Sequence, residues 1–191
     1  MTKLRPYTLV ALNVLLFVLS FDAHAQLRFD KPKSEPPLDN PYQVGVSRED
    51  VIKTATEVLK TCSIPIDEEL SLPAEGKLIT KNIIFTRGVT AKNDLEHLAT
   101  MPAGEVRNWQ QGRAFLEITA MPVDGKKSQI MVVARIQGKI SDALRSNQWI
   151  DGQSNGTLED QVLRGLASKV LGIDLSIKTG DNKRRILNCE Y

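Results

Sequence analysis

The sequence predicts an α+β fold: one antiparallel β-sheet with two helices packed on a single face. Three observations predict it. A long run from Arg113 to Ile140 alternates apolar and polar residues about an Asp124-Gly125 turn. Two stretches, Ser47 to Cys62 and Thr157 to Gly172, carry apolar residues at helical spacing. Their order along the chain is helix, strand or strands, hairpin, helix.

The hairpin sets the geometry. Ala114, Leu116, Ile118 and Ala120 are apolar in its first arm, and Ile130, Val132, Ala134, Ile136 and Ile140 in its second, so both arms bury their even positions. Paired residues share a face, so even pairs with even, and this requires an odd number of loop residues. Val123-Asp124-Gly125 satisfies that as a type I turn with Gly125 left-handed, pairing Ile118 with Ile130 and Leu116 with Val132. In that register Arg113 faces Arg135 on the odd face. Facing like charges destabilise a strand pair, so the strands splay there, a carboxylate from another element neutralises the two, or together they hold an anion or an acidic partner group.

The remaining elements follow in order. Residues 1–25 place Lys3 and Arg5 before an apolar run from about Thr8 to Phe21 and end in Ala23-His24-Ala25, the pattern of a secretory signal peptide. The run contains Asn13 and is shorter than a membrane span requires, so no stable membrane insertion is expected. Residues 26–42, with Pro32, Pro36, Pro37 and Pro41 among charges, read as an extended, mobile segment. Residues 43–191 form the domain.

Ser47 caps the first helix, Glu49 and Asp50 suit its positive end, and Val51, Ile52, Ala55, Val58 and Leu59 form its stripe. Lys77 to Phe85 is a strand whose broken alternation calls for a bulge near Lys81-Asn82. Asp94 to Ala99 suits a short helical turn. Thr157 caps the last helix, whose stripe runs through Leu158, Val162, Leu163, Leu166, Val170 and Leu171 to Gly172. Ile173, Leu175 and Ile177 alternate as a short strand would.

Composition excludes several functions. Removing Lys3, Arg5 and Asp22 with the signal peptide lowers the net charge from +2 to +1, which carries no nucleic-acid footprint. Cys62 and Cys189 survive cleavage, and in an oxidising compartment they are candidates for a disulfide closing a long loop, contributing about 4 kcal/mol. His97 is the one histidine past the leader, and no supporting constellation surrounds it, so it is expected at the surface. No catalytic, cofactor-binding or metal-ligating set is predicted, and an enzyme is not expected. The odd face of the hairpin is too apolar for a purely solvated surface. Arg113, Phe115, Met131, Val133 and Arg135 mark it as a candidate partner surface, unless residues 89–104 cover it.

The chain also resembles a known family. A helix ending in Val58-Leu59-Lys60, then Gly76-Lys77-Leu78-Ile79-Thr80, a Trp before Gly112-Arg113-Ala114, the long hairpin, and Trp149 ahead of Ser154-Asn155-Gly156-Thr157-Leu158-Glu159 are similar to small envelope domains related to the C subunit of the outer-membrane barrel-assembly machine. The resemblance implies a helix-grip arrangement, with the sheet curled around the last helix, and a role in protein–protein contacts without catalysis. The chain departs from such relatives in having no lipoprotein Cys near the cleavage site, so lipid tethering is not expected. The expected function is an exported, periplasmic or secreted interaction or envelope-assembly domain whose partner is an envelope protein. The alternative is a carrier of a small apolar ligand held in a cavity lined by Leu116, Val132 and Leu166.

Overall fold

The computed structural model describes residues 35–102, 108–140 and 148–175. The chain divides into two units, Met1–Pro32 and Lys33–Tyr191. The first unit, with the predicted signal peptide, lies outside the described residues, as do Cys189 and the tail beyond residue 175.

The second unit is α+β: its described residues form one antiparallel sheet of seven strands and three helices. In chain order these are β1 (Tyr42–Val44), α1 (Arg48–Thr61), β2 (Lys77–Ile79), β3 (Ile83–Arg87), α2 (Ala91–Leu98), β4 (Ala99–Thr100), β5 (Trp109–Asp124), β6 (Lys127–Ile140), β7 (Trp149–Ser154) and α3 (Thr157–Leu171). Strands β5 and β6 are the centre. On one flank β2 and β3 both pair with β5; on the other β1 and β7 both pair with β6, and β4 pairs with β7.

Parity in the hairpin is as expected, but the register is two residues away from the expected one. Ile118 faces Val132, Leu116 faces Ala134 and Ala114 faces Ile136. Asp124 pairs with Lys127 across a two-residue Gly125-Lys126 turn, and a bulge between Pro122 and Asp124 supplies the odd residue that keeps even facing even. The N–H of Lys126 donates to the Asp124 carboxylate at 2.9 Å, and Gly125 is not left-handed.

Every apolar even position from Ala114 to Ile140 is buried, against stripes from all the helices. Each fully buried Leu or Ile contributes roughly 1.5–3 kcal/mol. Ser47 caps α1 as expected, accepting the N–H of Asp50 at 3.2 Å, and Cys62 closes the helix. At α3 the cap differs: left-handed Gly156, not Thr157, is the N-cap residue, and the Asn155 side chain accepts the Thr157 N–H at 3.0 Å. The carboxylates of the first turn are thereby free for tertiary contacts.

Where two helices were expected on the inner face there are three. Helix α2 adds a turn to the expected Asp94–Ala99 segment and packs inward: a Cβ on Gly138 would lie 3.0 Å from Leu95 and 2.5 Å from the ring of Trp109. A buried hydrogen bond from the Thr86 hydroxyl to the Asp94 carboxylate fixes α2 to β3. The single strand expected over Lys77 to Phe85 is instead two, β2 and β3, and the bulge falls between Ile84 and Thr86 rather than near Lys81-Asn82. In the break between the strands Thr80 donates its N–H to the Leu116 carbonyl at 2.9 Å and its hydroxyl accepts the Leu116 N–H at 3.0 Å.

The free side of β6 is completed in pieces. β1 pairs with residues 128–130 and β7 with residues 136–139. In the gap, the Asn40 side chain donates to the Val132 carbonyl at 2.6 Å and accepts the Val132 N–H at 3.1 Å. The N–H of Ala134 donates to Glu159 of α3 at 3.2 Å, and the Ser154 hydroxyl donates to the other oxygen of that carboxylate at 2.8 Å. No backbone donor of this stretch is left to find water.

The Pro-rich segment, expected to be mobile, is therefore tied down from Glu35 onward. Arg164 of α3, only 6% exposed, donates to the carbonyl of Pro36 at 2.6 Å, to that of Leu175 at 3.2 Å and to Asp160 at 2.8 Å. Asp160 in turn accepts the N–H of Leu38 at 2.7 Å. A buried guanidinium needs several acceptors, and segments on either side of the sheet and helices in sequence, at Pro36 and Leu175, supply them. Residues 173–175, part of the expected tail strand, form no strand; they close α3 instead, with the Leu175 N–H on Ser168 at 3.0 Å.

Candidate functional site: the outer face of the sheet

Alternation sends the odd positions of β5 and β6 to the face opposite the helices. Arg113 and Phe115 on β5 and Met131, Val133 and Arg135 on β6 all lie there, as the sequence predicts. Val133 is 42% exposed, and Ile84 of β3 is 41% exposed on the same face. Residues 91–98 run on the inner face, so α2 does not supply the cover that the sequence left open.

One expectation is corrected. Arg113 does not face Arg135; it faces Gln137, and Arg135 faces Phe115. The two-residue offset arises because a two-residue turn plus a bulge preserves parity but moves each pair along the strand. No like-charge clash exists, and Arg113 is held in another way.

The ladder places side chains in rows across the face. One row runs Ile84, Arg113, Gln137, Asp151 across four strands. The Arg113 Nε donates to the Gln137 side chain at 2.7 Å, whose amide donates to Asp151 at 2.6 Å. The adjacent row runs Arg87, Gln111, Lys139, Trp149. From it the Trp149 ring reaches the Arg113 guanidinium, with the centroid at 4.0 Å, while Phe115 lies 5.2 Å away. The guanidinium thus touches two aromatic rings and one carbonyl oxygen, a cation–π arrangement that suits planar Arg. Burial lowers its pKa from the ordinary value and Asp151 opposes that, yet it remains a cation throughout the working range.

Further down the face, Glu117 lies between Ile79 and Val133 and forms an ion pair with Lys77 at 2.7 Å. Gln137, Asp151, Trp149 and Ile84 are the members that sequence reasoning missed. Alternation marks Gln137 as odd, but only the true register puts it opposite Arg113.

His97, expected at the surface, lies half-buried in the last turn of α2, with its Nε2 shielded and without a hydrogen-bond partner among the described residues. Its carbonyl accepts from Asn155 at 2.9 Å. Among the described residues no three His, Cys, Asp or Glu side chains converge. The outer face presents a planar cation between rings, two exposed aliphatic side chains and a polar rim.

Compared with known proteins, the chain matches no family model, no curated protein and no solved structure. The likeness to the barrel-assembly domains rests on the residues quoted for it above.

Proposed function

We propose that this is an exported, non-enzymatic interaction domain, an accessory to envelope assembly, that docks a protein partner on the outer face of its sheet. The observation that carries the reading is the inequality of the two faces. The inner face takes all three described helices, while the outer face holds Ile84, Phe115, Met131, Val133 and Trp149 with none of those helices over them. The signal-peptide pattern and the family resemblance support the same reading. Leu116, Val132 and Leu166, which a ligand carrier would use as cavity lining, are members of the contiguous core, and no observation favours that alternative.

The test uses the mature protein as bait in an envelope extract, beside the variant Ile84→Gln/Val133→Gln. These neutral changes remove apolar contact without altering charge or a buried position. The wild type retains a partner that the variant loses at unchanged unfolding midpoint. Equal retention by both would overturn the reading. Export is tested separately by intact mass of the cell-derived protein, which should begin at Gln26.

A further inference from the structure

Charge on the outer face is unevenly distributed. In its lower half Lys77 and Glu117 neutralise each other. The upper half spans the rows of Arg87 and Lys139, of Arg113 and Asp151, and of Phe115 and Arg135, and it sets four cations against one carboxylate. The whole chain carries only +2, so this half-face concentrates more positive charge than the entire protein shows on balance.

These cations also differ in how they are engaged. Arg113 is spent on the rings and on Gln137, and Asp151 is turned toward the Gln137 amide. Arg87, Arg135 and Lys139 make no ion pair among the described residues. Arg135 faces the half-buried Phe115, and Arg87 and Lys139 lie in the row next to that of the exposed Ile84.

Resting on the docking reading above, we infer that the upper half of the outer face is built for an acidic protein segment, one presenting clustered Asp or Glu beside an apolar or aromatic side chain. Arg87 and Arg135 are exposed and Lys139 is half-exposed, so they lose little by remaining solvated in the free protein. When a partner excludes water their attraction for carboxylates strengthens, and the guanidinium fork matches the carboxylate geometry. Interleaved aliphatic and aromatic side chains favour a protein over a phosphate surface, since Arg with aromatics is the composition of protein interface cores. A single-stranded nucleic acid would need open aromatic faces for its bases, whereas Phe115 and Trp149 are half-buried and the Trp149 ring is covered by Arg113. An anionic bilayer would need a broader basic area than this half-face provides.

The test titrates isotope-labelled mature protein with four probes. They are a synthetic peptide alternating Glu with Phe and Leu, the same peptide with Lys for Glu, phosphatidylglycerol vesicles, and a short single-stranded oligonucleotide. The acidic peptide should shift amides of the upper rows, bind more weakly as salt rises, and lose about tenfold or more in affinity in Arg87→Glu/Arg135→Glu/Lys139→Glu. The basic peptide should shift nothing. Stronger binding to vesicles or oligonucleotide, or an acidic peptide that ignores the three reversals, would overturn the inference. The docking reading is judged apart. A partner from the extract that survives the charge reversals but is lost with Ile84→Gln/Val133→Gln would leave docking standing and remove the acidic partner. Retention by both variants would remove docking itself.

Discussion

The side-chain amide of Asn40 takes the place of a β-strand opposite Val132. Its NH2 group donates to the Val132 carbonyl at 2.6 Å while its oxygen accepts the Val132 N–H at 3.1 Å. One primary amide thus satisfies both polar groups of a residue in the gap between β1 and β7. A residue 92 positions away does the work of a sheet neighbour.

Asn40→Ala leaves both groups without their partner and should cost about 1–3 kcal/mol in denaturant unfolding. Asn40→Asp should not restore the loss, because a carboxylate has no N–H for the carbonyl. Full stability in Asn40→Asp would show that only the oxygen of Asn40 matters.

Arg164 should be among the most sensitive polar positions. Arg164→Met leaves the half-buried Asp160 without its cation and two carbonyls without their donor, at about 3–5 kcal/mol. Arg164→Lys should recover little, since an ammonium does not reproduce the fork that reaches three acceptors at once. In both variants limited proteolysis should cut near residues 35–40 faster than in the wild type; unchanged cleavage would show that the segment is held by other contacts.

The two arginines of the candidate surface should behave differently. Arg135 is exposed, so Arg135→Glu should stay within about 0.5 kcal/mol of the wild type. Arg113→Lys keeps the charge but loses planar stacking, at roughly 0.5–1 kcal/mol, and should move the indole N–H resonance of Trp149 while sparing that of Trp109. An unmoved Trp149 resonance would contradict the stack.

A bridge between Cys62 and Cys189 is proposed from export and from the cysteine count. Cys62 sits at the C-cap of α1 and is not free, while Cys189 lies outside the described residues. The denatured, non-reduced protein should show no titratable thiol, and reduction should lower stability by about 4 kcal/mol in the chain-entropy model. Two titratable thiols before reduction would exclude the bridge.

What the sequence made legible was whatever local pattern determines. The stripe of α1 with its Ser47 cap, the stripe of α3 with Gly172 beyond it, and the parity of β5 against β6 all follow from side chains a few residues apart. The register did not, because a three-residue loop and a two-residue turn with a bulge at Val123 carry the same Asp-Gly signal and the same parity. That offset produced the expected Arg113–Arg135 pair and hid Gln137 and Asp151. The contacts of Asn40, Glu159 and Arg164 were illegible for another reason: they join distant segments through single side chains, with no periodicity to announce them. The five candidate surface residues were found because alternation alone assigns a face.

The most direct measurement of the central claim is photo-crosslinking in cells, with a photoreactive amino acid placed in turn at Ile84, Val133 and Arg135 on the outer face and at Lys53 and Lys169 on the exposed sides of α1 and α3. One discrete crosslinked protein band should be shared by the three outer-face positions and absent from the two helical ones. A band from Lys53 or Lys169 with none from the sheet would contradict the claim.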